Sequence, residues 1–202
     1  MKTEILNDED IIQINKIVGN DGVIVFATET VYGLGARADS FLAYENIFKS
    51  KDRNASKVLT LMLHDKRDID SYALIDNKIS KVINAFMPGE LTLVLPVKKN
   101  TNLYGVKSTI GIRIPNKEST LNLLKSINYP MYVTSANISG DSPATSFEQT
   151  FETLDGRVNG IIKGDVSYGT PSTVASIIDG EINILREGKI SELMIEEVYN
   201  NE

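Results

Sequence analysis

The sequence predicts an α/β fold of mixed α+β type, with helices packed against a mixed parallel and antiparallel sheet. Three observations predict it. Short apolar runs that read as strands recur along the chain, among them GVIVFA at 22–27 and LTLVLPV at 91–97. Between the early runs, apolar residues fall at helical spacing. Late in the chain, TVASIID and INILR flank Asp179-Gly180, a turn pair suited to a hairpin. Strands and helices thus alternate early, and antiparallel pairing is expected late.

The elements follow in order. Residues 8–18 are expected to form a helix: Asp8 can cap it, Ile11, Ile14 and Val18 share a face, and Gly19 can end it. GVIVFA is the first strand. Asp39 and Ser40 offer an N-cap for a helix whose face carries Tyr44, Ile47 and Phe48. VLTLML, 58–63, is a strand. Ile79, Val82, Ile83 and Phe86 mark a helix that Pro88-Gly89 stops. LTLVLPV and TIGIRIP, 109–115, are strands. Leu121, Leu124 and Ile127 mark a helix, MYVT at 131–134 a strand, and Ser146 the start of a short helix. GIIKG, TVASIID and INILR are strands, and 191–199 a closing helix.

The chain has 202 residues, of which 42% are hydrophobic and 24% charged, with no repeat and no linker. It is read as one domain, 1–202. There is no cysteine, which excludes disulfides, thiolate zinc sites and thiol nucleophiles. The opening MKTEILNDED turns acidic before any apolar run, and no run is long enough to span a bilayer, so a cytoplasmic protein with no membrane contact is expected. Lys plus Arg number 21 against 27 Asp plus Glu, a net charge of −6. A dedicated nucleic-acid binder carries a positive excess instead.

Several apolar segments end in polar clusters: Thr28-Glu29-Thr30 with Tyr32; Lys51-Asp52-Arg53 with Lys57; Lys107-Ser108-Thr109 leading to Arg113; Thr134-Ser135-Ala136-Asn137 running on to Ser142-Pro143; Pro171-Ser172-Thr173; and Arg186. Singly, most of these read as turn and cap chemistry. Arg113 stands out. Strand alternation puts Ile110, Ile112 and Ile114 on one face and Gly111 and Arg113 on the other, either a cleft face or a solvent face. Together the clusters supply hydroxyls, backbone donors and cations, with no nucleophile–base pair and no metal cluster. The sole histidine, His64, reads as a surface loop residue. Such a set suits a phosphate or carboxylate ligand. The P-loop motif is absent, and Gly33-x-Gly35 lacks the third glycine of a dinucleotide fingerprint.

In this order the blocks TETVYGLG, IFKSKDR, PGELTLVL, TIGIRIP, TSANISG, STVASI and LREG resemble the YrdC-like, or TsaC-like, threonylcarbamoyl-AMP synthases. The resemblance runs from about residue 22 to residue 190 and suits the family's short, single-domain form. It implies an open twisted mixed sheet with flanking helices and a deep central cleft lined with positive charge. It implies condensation of L-threonine, bicarbonate and ATP, with magnesium on the phosphates, to threonylcarbamoyl-AMP and pyrophosphate. A separate tRNA threonylcarbamoyl-transferase complex would receive the product, and weak tRNA binding by this chain is left open.

Carried over by position, Thr30, Met62, Arg113, Val133 and Ser172 would line the threonine pocket. Lys51, Arg53, Lys57, Thr109, Ser135, Pro143 and Arg186 would surround ATP, with Lys51 and Arg53 catalytic. The chain departs from the common pattern at Ala27, where proline is usual, at Asp52, within the usual KGRP, and at Met62, where many members have histidine. A non-catalytic RNA- or nucleotide-binding module on the same fold is the alternative, and a carbamoyl-transfer enzyme a third reading.

Overall fold

A computed structural model describes residues 2–52 and 59–201. Ten strands form one sheet: β1 (Glu4–Leu6), β2 (Ile24–Ala27), β3 (Tyr32–Arg37), β4 (Thr60–Met62), β5 (Leu91–Pro96), β6 (Thr109–Arg113), β7 (Met131–Ser135), β8 (Gly160–Ile162), β9 (Thr173–Ile178) and β10 (Glu181–Arg186). Six helices accompany them: α1 (Ile11–Gly19), α2 (Phe41–Ser50), α3 (Asn77–Phe86), α4 (Glu118–Ser126), α5 (Phe147–Leu154) and α6 (Glu192–Asn200). The strand order is β1-β8-β2-β3-β7-β4-β6-β5-β9-β10, with parallel and antiparallel neighbours mixed.

The expected helices form, and the starts of α2, α3, α5 and α6 follow the capping chemistry. The Ser40, Asp76, Ser146 and Ser191 side chains accept from the backbone three residues on, at Ala43, Ile79, Gln149 and Met194. Asp8 does not cap α1. That helix begins at Ile11, and the carboxylate of Asp10 accepts instead from the Asn7 backbone N–H at 2.7 Å, bracing the turn out of β1. β9 and β10 form the expected hairpin, with Asp179 at φ 51° and Gly180 at φ 84°, as its tight turn demands.

Antiparallel pairing is not confined to the late strands. Tyr32–Arg37 is a strand that the sequence pattern hides, and it pairs back on β2, Phe26 opposite Gly33. Its pattern is masked because both its faces are buried and glycine occupies one of them. A Cβ at Gly33 would stand 2.9 Å from Val133 Cγ1, so bulk is excluded where β3 meets β7. β1, three residues long, and a 3-10 turn at Lys66–Ser71 are also too short for periodicity to reveal.

Alternation along the strands divides the core. Val25, Leu34, Leu61, Ile112, Tyr132 and Ala175 face one side and pack with Ile47, Val82, Leu154 and Ile195 from α2, α3, α5 and α6. On the other side Ile24, Phe26, Met131 and Val133 pack with Ile14, Val18 and Leu124 from α1 and α4. Those two helices cover this face from the β1-β8 edge as far as β7. Among the described residues, no helix lies over the row Thr60, Gly111, Val94 and Ser176, which the registers place side by side from β4 to β9. That bare half-face is the floor of a cleft. No helix among the described residues is long and apolar enough to cross a membrane.

Candidate functional site

The cleft holds about 570 Å³. Its floor is Thr60 and Met62 of β4, Gly111 and Arg113 of β6, Thr92 and Val94 of β5, and Val174 and Ser176 of β9. Its walls are the Thr28 turn, the Ser135–Gly140 segment, Pro171-Ser172 and Arg186. Gly111 and Arg113 do face away from the core isoleucines, and the face is the cleft. A Cβ at Gly111 would meet nothing closer than 3.6 Å, so the glycine's effect is to leave the floor open.

Arg113 is 5% exposed. Its guanidinium donates from Nε to the Gly89 carbonyl at 3.2 Å, from Nη1 to Thr30 Oγ1 at 3.0 Å, and from Nη2 to Glu29 Oε1 at 2.7 Å. The hydroxyls of the TET turn have defined work. Thr28 Oγ1 donates to the Val31 carbonyl at 2.7 Å, closing the β2–β3 turn. With that proton spent, Thr30 Oγ1 is the donor in its 2.9 Å bond to Thr28, and the acceptor from Arg113. Thr30 is fully buried behind the guanidinium, whereas Thr28 lines the cleft.

Lys51 follows the last turn of α2 and enters the cleft from the opposite wall. Its Nζ donates to the Ser135 carbonyl and to Asn137 Oδ1, the latter at 3.1 Å. Ser135 Oγ donates to the same Asn137 oxygen at 2.5 Å, and the Asn137 amide nitrogen holds the Ile138 and Asp141 carbonyls. The Ser139 backbone N–H returns to the Lys51 carbonyl at 2.9 Å. Asn137, part of a polar cluster in the sequence but given no role there, organises this whole unit. Its signal was its place in TSANISG, but only an amide facing two ways in space reveals the role.

Ser172 lies at the third wall, its Oγ 3.0 Å from Thr92 Oγ1. Arg186 donates from Nε and Nη2 to the Ser172 carbonyl at 3.0 and 2.7 Å. Partial burial, and then the charge of Arg113, hold the Arg186 pKa below the usual arginine value. Two guanidiniums therefore repel across the cleft. No carboxylate is among the described lining residues, so an anionic ligand would relieve that repulsion.

Of the other residues picked out by sequence, Met62, Thr109, Val133 and Ser135 line the cleft. Met62 sits beside Arg113 on the β4–β6 ladder. Pro143 stands in the irregular segment before Ala144 and is not among the lining residues. Arg53 and Lys57 lie outside the described residues. Asp52 points away from the cleft, paired with Arg157 at 2.8 Å, and holds φ 48°, a backbone region that favours glycine. His64 is exposed, 3.9 Å from Asp68, and takes no part in the cleft. No group of three His, Cys, Asp or Glu suited to a metal occurs among the described residues.

An open mixed sheet with a large cleft lined by cations and hydroxyls has the chemistry that suits small anionic molecules. The chain belongs to the Sua5/YciO/YrdC family, whose model, described as telomere recombination, matches residues 16–188. The threonylcarbamoyl-AMP synthase of Bacillus subtilis is 34% identical over 197 residues, covering 95% of this chain and 57% of that relative. The crystal structure of P. abyssi Sua5 complexed with L-threonine has a TM-score of 0.89 at 31% identity, over 97% of this chain and 61% of its own. E. coli YciO has a TM-score of 0.81 at 27% identity, over 94% of this chain and 96% of its own. The chain thus spans less than two thirds of the first two proteins and nearly all of the third.

Proposed function

We propose that this chain is an L-threonylcarbamoyladenylate synthase, a nucleotidyltransferase acting on L-threonine, bicarbonate and Mg–ATP. The observation that carries the reading is the convergence of Lys51, Arg113 and Arg186 on one cleft whose described lining has no carboxylate. In this reading Arg113 forks onto the threonine carboxylate, with Thr28, Met62, Val133 and Ser172 around the amino acid. Threonine's amine and bicarbonate form a carbamate and release water. A carbamate oxygen attacks the α-phosphorus of ATP, the bond from that phosphorus to the bridging oxygen breaks, and pyrophosphate leaves. Lys51 and Arg186, with the sequence-expected Arg53 and Lys57, offset the charge that gathers on the phosphates. Proximity and charge stabilisation supply the catalysis without a protein base. Magnesium enters as the ATP complex. The product passes to a tRNA-modifying complex.

The test is pyrophosphate release from protein, bicarbonate and Mg–ATP, with and without threonine. Release that requires threonine supports the reading, and its absence under all conditions refutes it. A non-catalytic nucleotide-binding module would bind ATP and release no pyrophosphate. Asp52, a motive for that alternative, has its carboxylate turned onto Arg157 rather than onto the cleft.

A further inference from the structure

Glu29 is 2% exposed and is not a lining residue of the cleft, yet it is ionically paired to the cation that is. Its Oε1 accepts from Arg113 Nη2 at 2.7 Å and from the Asn116 backbone N–H at 3.0 Å. Its Oε2 is buried with no hydrogen-bond partner among the described residues. Its backbone carbonyl accepts from the Ser167 and Tyr168 N–H groups at 3.2 and 2.9 Å. Those residues belong to the segment that leads into Pro171 and Ser172, so one residue ties two walls of the cleft together.

A guanidinium has five N–H groups in one plane. Three are accounted for by Gly89, Thr30 and Glu29. One N–H on each terminal nitrogen is left for a ligand. Glu29 and Thr30 grip those same terminal nitrogens, so they set the plane in which the remaining pair points. The Asn116 bond in turn fixes Oε1.

We propose that Glu29 is a positioning residue, whose Oε1 holds the Arg113 guanidinium in the plane that receives an amino-acid carboxylate. The inference rests on the reading of Arg113 as the carboxylate partner in the threonine pocket. It assigns the effect to the place of one acceptor oxygen and not to the negative charge as such.

Two substitutions separate place from charge. Glu29→Gln keeps an acceptor oxygen at the same reach and removes the charge. Glu29→Asp keeps the charge and withdraws the carboxylate by about 1.5 Å, one bond length. Threonine binding and binding of a non-hydrolysable ATP analogue are measured by calorimetry on the full chain, with thermal melts as the folding control. The expected result is a threonine Kd raised about 10- to 100-fold in Glu29→Asp, the scale of one charge-assisted hydrogen bond. Glu29→Gln stays near wild type, and ATP-analogue affinity is unchanged in both. The opposite order, equal losses in both variants, or wild-type threonine affinity in Glu29→Asp overturns the proposal, as does equal loss of threonine and ATP analogue. Wild type that binds threonine but releases no pyrophosphate overturns the synthase reading and leaves the positioning inference standing. Wild type that binds no threonine overturns both.

Discussion

Replacing Arg113 with methionine is expected to damage stability and binding separately. The substitution preserves an apolar stem of similar length and deletes three hydrogen bonds, to Gly89, Thr30 and Glu29. Glu29 is then left buried with the Asn116 N–H as the one remaining partner of its two oxygens among the described residues, because Oε2 already had none. Breaking a buried ion pair from one side costs about 3–5 kcal/mol. A domain of this size shifts its Tm by about 2–4 °C per kcal/mol, which puts the expected fall at roughly 6–20 °C. The stranded carboxylate is the main cause, so Glu29→Met in the same chain should recover most of the loss. Replacing both partners of a buried pair by apolar groups is often close to neutral. Threonine binding should be absent in the single and the double variant alike. The assay is a thermal melt of wild type and the two variants beside a threonine titration. A double variant no more stable than Arg113→Met would refute the energetic reasoning, and retained threonine binding would refute the site.

Lys51→Met should lower pyrophosphate release about 100-fold or more, the scale seen when one preorganised charge-stabilising donor is removed. Unchanged steady-state turnover would contradict the role given to Lys51. Asp52→Gly should leave turnover intact and change stability by less than about 1 kcal/mol in urea melts, because an exposed pair with Arg157 contributes little and the φ of 48° suits glycine. Burial pushes the Tyr32 phenol up to about 12, and its hydroxyl donates to the Gly164 carbonyl. A phenol raised in the folded state binds its proton more tightly there than when unfolded, so its contribution is fully present below pH 10 and is lost as pH rises from 10 to about 12. Urea melts across that window should show Tyr32→Phe less alkali-sensitive than wild type, and identical pH slopes would disprove it.

The site was legible in outline because its residues sit in short blocks with unusual chemistry. Arg113 between isoleucines, the hydroxyls of the TET turn and the Ser135-Asn137 turn stand out against ordinary strand ends. What escaped were the partners. Glu29 and Arg113 are 84 positions apart, and Lys51 and Asn137 are 86 apart. No local pattern links them. Thr30 was expected to face the amino acid, and it lies instead one hydrogen bond behind the guanidinium, because the turn closes through Thr28.

By itself the sequence determined which segments are helices and most strands, where α2, α5 and α6 begin, and the stock of cations and hydroxyls. Those are local properties, set by side-chain periodicity, by capping groups and by turn residues. The β3 strand escaped because burial on both faces and two glycines erase its alternation. Only the tertiary structure decided the strand order, and with it the cleft. Pairing β4 with both β6 and β7 sets Met62 beside Arg113 and Thr60 beside Val133. Covering just one end of that face with α1 and α4 leaves the remainder open. Non-local hydrogen bonds then turn separate polar strand ends into one surface of cations and hydroxyls, because register and burial are properties of the folded chain as a whole.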